Sequence, residues 1–325
     1  MDRKSLREQT HNPKELLTLE NPEYKASVLR YTFGELNADL GGPNGAGDIT
    51  TKSMFPEKKP AKGVIFAKED GVIAGLEELE YFLVKADPTF RPQLSGNFSL
   101  KSFVKDGDQV KIGDPIVEIS ADISDLLAVE RTVLNLLTRM SGIATNTKRI
   151  VDSVAQYDVL VTATRKTLWG LLDKKAVTLG SGGSHRLNLA DAILIKDTHL
   201  DPLGRNFDEA LSRVAKSDVK SRFIEIEVLS KEEAIEACRA FIRSKIQSTC
   251  VIMFDNMSPE EISAALDELK TQNLYDNFLF EASGGITEKN ITSHAQTGVD
   301  VVSIGALTAS AHALDLSLKI DQKKL

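Results

Sequence analysis

Six short apolar runs, each followed by a polar or amphipathic segment, constrain the fold more than any other feature of this sequence. They lie between residues 159 and 305 and read VLVTA, AILIK, FIEIEV, CVIMF, FLFEAS and VDVVSIG. Alternation of β-branched runs with helical patterns is typical of a parallel sheet. The runs are apolar almost throughout, as expected for strands covered on both faces. We therefore predict an α/β protein with a C-terminal parallel βα barrel, TIM-like and incomplete.

The first half of the chain has a different pattern. Residues 64–68 predict a strand, residues 76–85 a helix, and residues 124–154 a long helix interrupted at Ser141-Gly142. This pattern predicts an N-terminal α+β sandwich domain over 1–141 and a barrel domain over 142–309. Residues 310–325 could rejoin the first domain, and a final helix is predicted over 307–319.

Composition excludes several functions. The formal net charge is −7, which argues against nucleic acid as a partner. The sequence has no apolar run long enough for a membrane span and no secretory signal pattern near residue 1, so we expect a cytoplasmic protein that binds no membrane. Cys238 and Cys250 lack metal-site spacing and are interpreted as core thiols.

Cations follow the early strands. In a parallel barrel the site lies where the strands end. Arg165 and Lys166 follow the first run and Lys196 follows the second. Further candidates are His185 and Arg186 in a glycine-rich loop, and Arg131 on the long helix. Converging cations indicate a polyanionic ligand, whereas surface cations paired with acids are the alternative.

Carboxylates and glycines follow the later strands. Glu227 and Asp255 could hold Mg²⁺ through oxygen ligands, or could instead pair with nearby Lys or Arg. The turn beginning Ser283-Gly284-Gly285, together with Gly305, offers backbone N–H groups and helix N-termini to a phosphate. The pattern thus predicts a small, phosphorylated, multiply anionic substrate.

A series of motifs in chain order resembles one known family. The motifs are Gly47-Asp48-Ile49-Thr50-Thr51, Glu130-Arg131-Thr132, Thr164-Arg165-Lys166-Thr167, Ser184-His185-Arg186, Lys196-Asp197, Glu281-Ala282-Ser283-Gly284-Gly285-Ile286-Thr287 and Gly298-Val299-Asp300. Together they resemble quinolinate phosphoribosyltransferase from about residue 30 to 320. The resemblance implies transfer of phosphoribose from phosphoribosyl pyrophosphate to quinolinate with decarboxylation, giving nicotinate mononucleotide, pyrophosphate and CO₂ for NAD biosynthesis.

The resemblance also implies roles for the candidate residues. Four would hold the pyridine carboxylates: Arg131, Arg165, His185 and Arg186. Lys166 and Lys196 would bridge the two substrates and, with Glu227 and Asp255, form the catalytic set. Glu227 and Asp255 would face the ribose and Mg²⁺, the expected metal. Ser283, Gly284, Gly285 and Gly305 would face the 5′-phosphate.

The resemblance further implies a homodimer, or a larger assembly of such dimers, with Arg131 acting across the subunit interface. Leu168-Trp169-Gly170 stands where the family usually has a run ending in arginine, and Thr198 stands where the family usually has asparagine. These departures bear on the choice of pyridine substrate and on the role of Trp169.

Other functions fit parts of the pattern. A paralogous phosphoribosyltransferase could act on nicotinate or another heterocycle. A Schiff-base sugar-phosphate aldolase could use Lys166 or Lys196 as the nucleophile. A non-catalytic anion sensor would bind the same ligands without turnover, but the carboxylates beside the cations would then serve no purpose.

Overall fold

A computed structural model of the chain describes residues 2–42, 44–91, 93–217 and 219–320. The chain forms two compact units. Unit 1 comprises residues 1–13, 149–167 and 182–310, and unit 2 comprises residues 14–148, 168–181 and 311–325. The ends of the predicted domains, residue 1 and residues 321–325, lie outside the described residues.

Within the described residues, the helices are α1 (Arg3–His11), α2 (Pro22–Asp39), α3 (Ile49–Met54), α4 (Leu76–Glu80), α5 (Ile123–Ser153), α6 (Leu171–Leu179), α7 (Asp197–Leu200), α8 (Phe207–Lys216), α9 (Lys231–Ser244), α10 (Pro259–Thr271), α11 (Ile291–Gln296) and α12 (Ala306–Ala309). The strands are β1 (Pro60–Ala67), β2 (Gly71–Val72), β3 (Ser99–Ser102), β4 (Gln109–Val110), β5 (Pro115–Asp122), β6 (Leu160–Thr162), β7 (Ile193–Ile195), β8 (Ile224–Val228), β9 (Cys250–Asp255), β10 (Leu279–Ser283), β11 (Val301–Ser303) and β12 (Leu316–Ile320).

Unit 1 is built on a six-stranded sheet. Its order is β6-β11-β10-β9-β8-β7, and every pairing is parallel. Each strand forms from one of the six apolar runs, so the prediction of a parallel C-terminal sheet is confirmed. Ser258 opens α10 with a capping box to Glu261, which satisfies free N–H groups at the helix start.

The N-terminal helix α1 also belongs to unit 1. Leu6 packs against a buried cluster formed by Ala192, Phe223, Val251 and Leu279. Arg3 makes two hydrogen bonds to Asp300, at 2.9 and 2.6 Å. The helix thereby covers apolar side chains at the base of the strands.

Unit 2 contains a four-stranded antiparallel sheet in the order β12-β1-β5-β3. Along β1, alternate residues from Ala61 to Ala67 are buried, which is the two-residue period of a sheet with one core face. The predicted helix over 76–85 forms α4 and continues as a π-helical turn, Tyr81–Lys85.

The predicted interruption of the long helix is wrong, because α5 runs without a break for 31 residues. Ser141 and Gly142 are small for another reason. Ser141 Oγ accepts a hydrogen bond from Ala74 N at 3.0 Å, and a Cβ at Gly142 would lie 2.0 Å from His312 O. Small residues allow neighbouring segments of unit 2 to approach α5 closely.

The predicted final helix over 307–319 is also wrong. The helix α12 ends at Ala309, and β12 pairs antiparallel with β1 in the register Gly63↔Ile320 to Ala67↔Leu316. Leu314, Leu316, Leu318 and Ile320 alternate with polar residues, which is the two-residue period of a strand. Residues 311–320 therefore join unit 2.

Candidate active site

A cavity of about 790 Å³ lies in unit 1, where the parallel strands end. It is lined by most residues predicted from the sequence: Arg165, Lys166, His185, Arg186, Lys196, Glu227, Asp255, Ser283, Gly284, Gly285 and Gly305. Parallel strands bring their carboxyl ends to one edge, so residues that are distant in sequence meet there. Arg131 belongs to unit 2, where it is exposed on α5.

The cavity holds two arginines whose charges are not neutralised by a close carboxylate. Among the described residues, neither Arg165 nor Arg186 takes part in an ion pair within 4.0 Å, and Arg186 donates to the Ala192 carbonyl at 3.3 Å. Burial lowers the pKa of Arg186, and the Arg165 guanidinium lowers it further. Two adjacent cations of this kind favour an anionic ligand.

Lys196 and Glu227 are already paired. Lys196 Nζ lies 2.6 Å from Glu227 Oε1. Burial raises the pKa of Glu227 and Asp255 raises it further, while the bond to Lys196 opposes both effects. Asp255 accepts a hydrogen bond from Asn256 Nδ2 at 2.9 Å. Two carboxylates from neighbouring strands provide the oxygen donors that Mg²⁺ prefers, so these residues fit that ion.

The Gly284-Gly285 turn has a backbone that only glycine adopts easily. The φ angles are +87° and +61°, and a Cβ at Gly284 would lie 2.4 Å from Asn256 Oδ1. The turn does not lead straight into a helix as predicted, because α11 starts at Ile291. Gly305 directly precedes α12, and a Cβ there would lie 3.1 Å from Lys166 Cδ.

A buried group of two histidines and two glutamates lies beside the cavity. It consists of His11, His185, Glu225 and Glu281, whose ligand atoms all lie within 4.8 Å of one another; within the described part of the chain it is the one such group with three or more His, Cys, Asp or Glu side chains. His185 Nε2 lies 3.1 Å from Glu225 Oε2 and 3.1 Å from Glu281 Oε2. Burial acts to lower the pKa of His185, but the two carboxylates outweigh it and raise the pKa.

Sequence reasoning missed part of this site. Glu225 and Glu281 are acidic residues within apolar runs of the sequence. Their positions in those runs could have indicated that they belong to the barrel interior. Asn256 and Ser303 also line the cavity; Asn256 comes two residues after a predicted strand, and Ser303 lies within the last apolar run. His11 carries no such signal, because it lies far from the strands in sequence.

The segment Leu168-Trp169-Gly170, which departs from the family pattern, is held by contacts within unit 2. The Trp169 ring stacks on Tyr31 with centroids 5.5 Å apart, and the Arg139 guanidinium lies 5.5 Å from the Trp169 ring. Asp173 accepts the N–H groups of Leu168 and Trp169, at 2.9 and 3.0 Å.

Fold and cavity together define a parallel βα-barrel protein with a cation-lined cavity at its strand ends. Residues 143–319 match the C-terminal domain of quinolinate phosphoribosyl transferase, and residues 48–141 match its N-terminal domain. The chain belongs to the quinolinate phosphoribosyl transferase family. The resemblance of the sequence motifs to that family is thus confirmed.

Relatives and solved structures agree with this assignment. The chain is 38% identical over 291 residues to a probable carboxylating nicotinate-nucleotide pyrophosphorylase of Methanothermobacter thermautotrophicus, covering 88% of this chain and 96% of the relative. It is 33% identical to the decarboxylating quinolinate phosphoribosyltransferase 1 of Nicotiana glauca, covering 96% and 88%. The nicotinate-nucleotide pyrophosphorylase structure from Francisella tularensis superposes with a TM-score of 0.77 at 29% identity, covering 91% and 96%.

Both predicted core thiols, Cys238 and Cys250, are free and buried. No helix among the described residues combines the length and the apolar character that crossing a membrane requires.

Proposed function

We propose that this chain transfers phosphoribose from phosphoribosyl pyrophosphate to the ring nitrogen of quinolinate, with loss of the 2-carboxylate, in NAD biosynthesis. The observation that carries the proposal is the arrangement of one cavity. It combines two arginines without carboxylate partners, a paired lysine and glutamate, and a glycine turn with free space for a phosphate. A pyridine dicarboxylate and a phosphorylated sugar need these three features together.

In the proposed first step, the bond between C1 of the ribose and pyrophosphate breaks and the pyridine nitrogen bonds to C1. Positive charge develops on the ribose, and the carboxylates of Glu227 and Asp255 stabilise it. Lys166 and Lys196 neutralise the departing pyrophosphate. Mg²⁺, held by Glu227 and Asp255 directly or through water, would supply further neutralisation of that charge.

In the second step, CO₂ leaves from the 2-position and its bonding electrons stay on the ring carbon. The ribosylated ring nitrogen is cationic and stabilises that pair until a proton takes the place of CO₂. Arg165, His185 and Arg186 are assigned to the ring carboxylates, and Ser283, Gly284, Gly285 and Gly305 to the 5′-phosphate. The protein mainly orients the ring and excludes water.

Chromatographic detection of nicotinate mononucleotide tests this function. The purified chain is incubated with quinolinate, phosphoribosyl pyrophosphate and Mg²⁺, and in parallel with nicotinate, with and without ATP. We expect product from quinolinate alone, lost in Lys166→Ala and Arg186→Ala. Product from nicotinate only would favour the alternative of a paralogous phosphoribosyltransferase that acts on nicotinate. Borohydride trapping of Lys166 or Lys196 on a carbonyl substrate would favour the aldolase.

We also propose a cytoplasmic homodimer in which Arg131 of one protomer completes the site of the other. The free, buried cysteines are consistent with a reducing compartment. Mixing Arg131→Ala with Lys166→Ala tests the assembly, because each inactive variant would supply what the other lacks. Random reassociation should restore up to about a quarter of wild-type activity. No recovery, or a monomer in analytical ultracentrifugation, would contradict the dimer.

A further inference from the structure

The helix α1 places a histidine beside the residues of the candidate active site. His11, its last residue, is fully buried and stacks on Phe223, with ring centroids 4.7 Å apart. Its backbone carbonyl accepts the N–H of His185 at 2.9 Å. The groups that face its ring are Glu281, His185, Glu225 and Arg222.

Hydrogen bonds fix which nitrogen of His11 carries a proton. Glu281 Oε2 lies 3.3 Å from His11 Nε2, and a carboxylate only accepts hydrogen bonds, so Nε2 carries the proton of the neutral ring. His11 Nδ1 is then an acceptor, and the Thr10 hydroxyl, 2.8 Å away, donates to it.

The same reasoning applies to His185. The Arg186 backbone N–H donates to His185 Nδ1 at 2.7 Å, so Nδ1 is an acceptor. The two carboxylates raise the pKa of His185 and so favour a second ring proton, but the Arg186 N–H at Nδ1 leaves no room for that proton. The single ring proton is then on Nε2, which lies 3.1 Å from both Glu281 and Glu225. Glu281 therefore links the two histidines, and His185 in turn contacts the backbone of Arg186.

This proton arrangement disfavours a metal ion within the group. A metal at the centre would need the lone pair of His185 Nε2, and the other ring nitrogen would then have to carry the proton. The Arg186 N–H already points at that nitrogen. The four side chains are better described as a network of close polar contacts than as a ligand set.

We propose that His11 is a positioning residue for the pyridine-binding side of the cavity: through Glu281 it fixes the ring of His185 and, with it, the backbone of Arg186. The inference rests on the proposed function, since it assigns His185 and Arg186 to quinolinate. His11 itself does not line the cavity. It acts by keeping a buried carboxylate in place.

The kinetic test uses His11→Phe, which keeps a ring against Phe223 and removes both nitrogens. We expect KM for quinolinate to rise about tenfold, the effect of a lost hydrogen bond to a charged group, while KM for phosphoribosyl pyrophosphate changes less than about twofold. His11→Gln restores a polar atom near Glu281 and should recover part of the loss. Arg3→Gln is the matched control, because it loosens α1 at Asp300 without touching the network.

Nitrogen-15 NMR of the histidine rings gives a readout independent of activity. The chain has 5 histidines, so single substitutions can assign them. In the wild type, His185 should show a protonated Nε2 and an unprotonated Nδ1, and His11→Gln or His11→Phe should shift these signals. Arg3→Gln should leave them unchanged.

Three results would overturn the inference. These are unchanged His185 signals in both His11 variants, an equal KM rise in Arg3→Gln, and a tightly bound metal coordinated by His185 Nε2. If the wild type does not turn over quinolinate but the NMR link is present, the proposed function fails and the positioning role of His11 remains.

Discussion

The charged side chains of the cavity are of two kinds. Some are already neutralised by an ion pair, and others have no close carboxylate and would be neutralised by a bound anion. Lys196 is paired with Glu227 at 2.6 Å, whereas Arg165 and Arg186 repel each other and make no ion pair within the described residues. Bound carboxylates would relieve that repulsion. Loss of the exposed Arg165 should therefore reduce binding while leaving the unliganded protein as stable as before.

We predict that Arg165→Gln raises KM for quinolinate about 10- to 100-fold, the range for a lost hydrogen bond between charged groups. Arg165 is exposed, so the free energy of unfolding should change by no more than about 0.5 kcal/mol. Steady-state kinetics and urea unfolding measure the two effects. Arg213→Gln, an exposed arginine on α8, is the control and should alter neither; a large loss of stability in Arg165→Gln would assign it a structural role.

Glu78, in unit 2, makes stability depend on pH. Burial raises its pKa from 4.5 to about 7, and one of its carboxylate oxygens, Oε2, is buried without a hydrogen-bond partner. The folded state then binds more protons than the unfolded state between these values, so stability falls as pH rises through this window. The difference of about 2.5 pKa units corresponds to about 3 kcal/mol.

Glu78→Gln should therefore stabilise the protein at pH 8 by up to about 3 kcal/mol relative to wild type and have little effect near pH 4.5. The bond from Tyr24 to Oε1 can be kept by the amide oxygen. Urea unfolding at several pH values between 4.5 and 8 measures the difference. The same effect at every pH would mean that Glu78 does not titrate in this window.

Which residues could be predicted depended on their distance from a strand in sequence. Arg165, Lys196 and Asp255 follow apolar runs directly, so the barrel rule placed them at the cavity. His11 could not be found this way, because its position beside Glu281 exists only once α1 has packed against the strands.

At the scale of elements, periodicity predicted the six strands of unit 1 but neither the continuity of α5 nor the strand β12. Small residues in the middle of α5 suggested a break, yet they mark close packing. The segment after α12 was predicted as a helix although its apolar residues alternate, because the strand it pairs with, β1, lies about 250 residues earlier in the chain. The alternation indicates a strand, but the identity of its partner strand has no local signal.

Two glycines in helices should respond oppositely to alanine. Gly142→Ala places a Cβ against the His312 carbonyl and should cost about 2–4 kcal/mol, since backbone must move. Gly34 in α2 has no atom within 4 Å of a built Cβ, so Gly34→Ala should stabilise by about 0.5–1 kcal/mol. Urea unfolding of both variants measures the difference. Equal effects would contradict the close packing inferred around Gly142.

At the scale of the whole molecule, the chain passes between the two units more than once. The helix α1 lies at the start of the sequence, yet it belongs to unit 1 with the strands of the second half of the chain. Two units with separate cores can open separately. Deleting residues 2–13 removes Leu6 from its apolar cluster, Arg3 from Asp300 and His11 from Glu281. The loss combines a cavity with two buried carboxylates, Asp300 and Glu281, that each lose one partner.

We predict that this deletion destabilises unit 1 by at least about 3 kcal/mol and affects unit 2 much less, because these contacts of α1 lie within unit 1. Hydrogen exchange followed by mass spectrometry resolves the two units. Amides of β8 and β10 should exchange faster, while those of β1 and β5 keep their protection. Arg3→Gln should give a smaller change in the same strands. Equal acceleration in both units would mean that they unfold as one cooperative body.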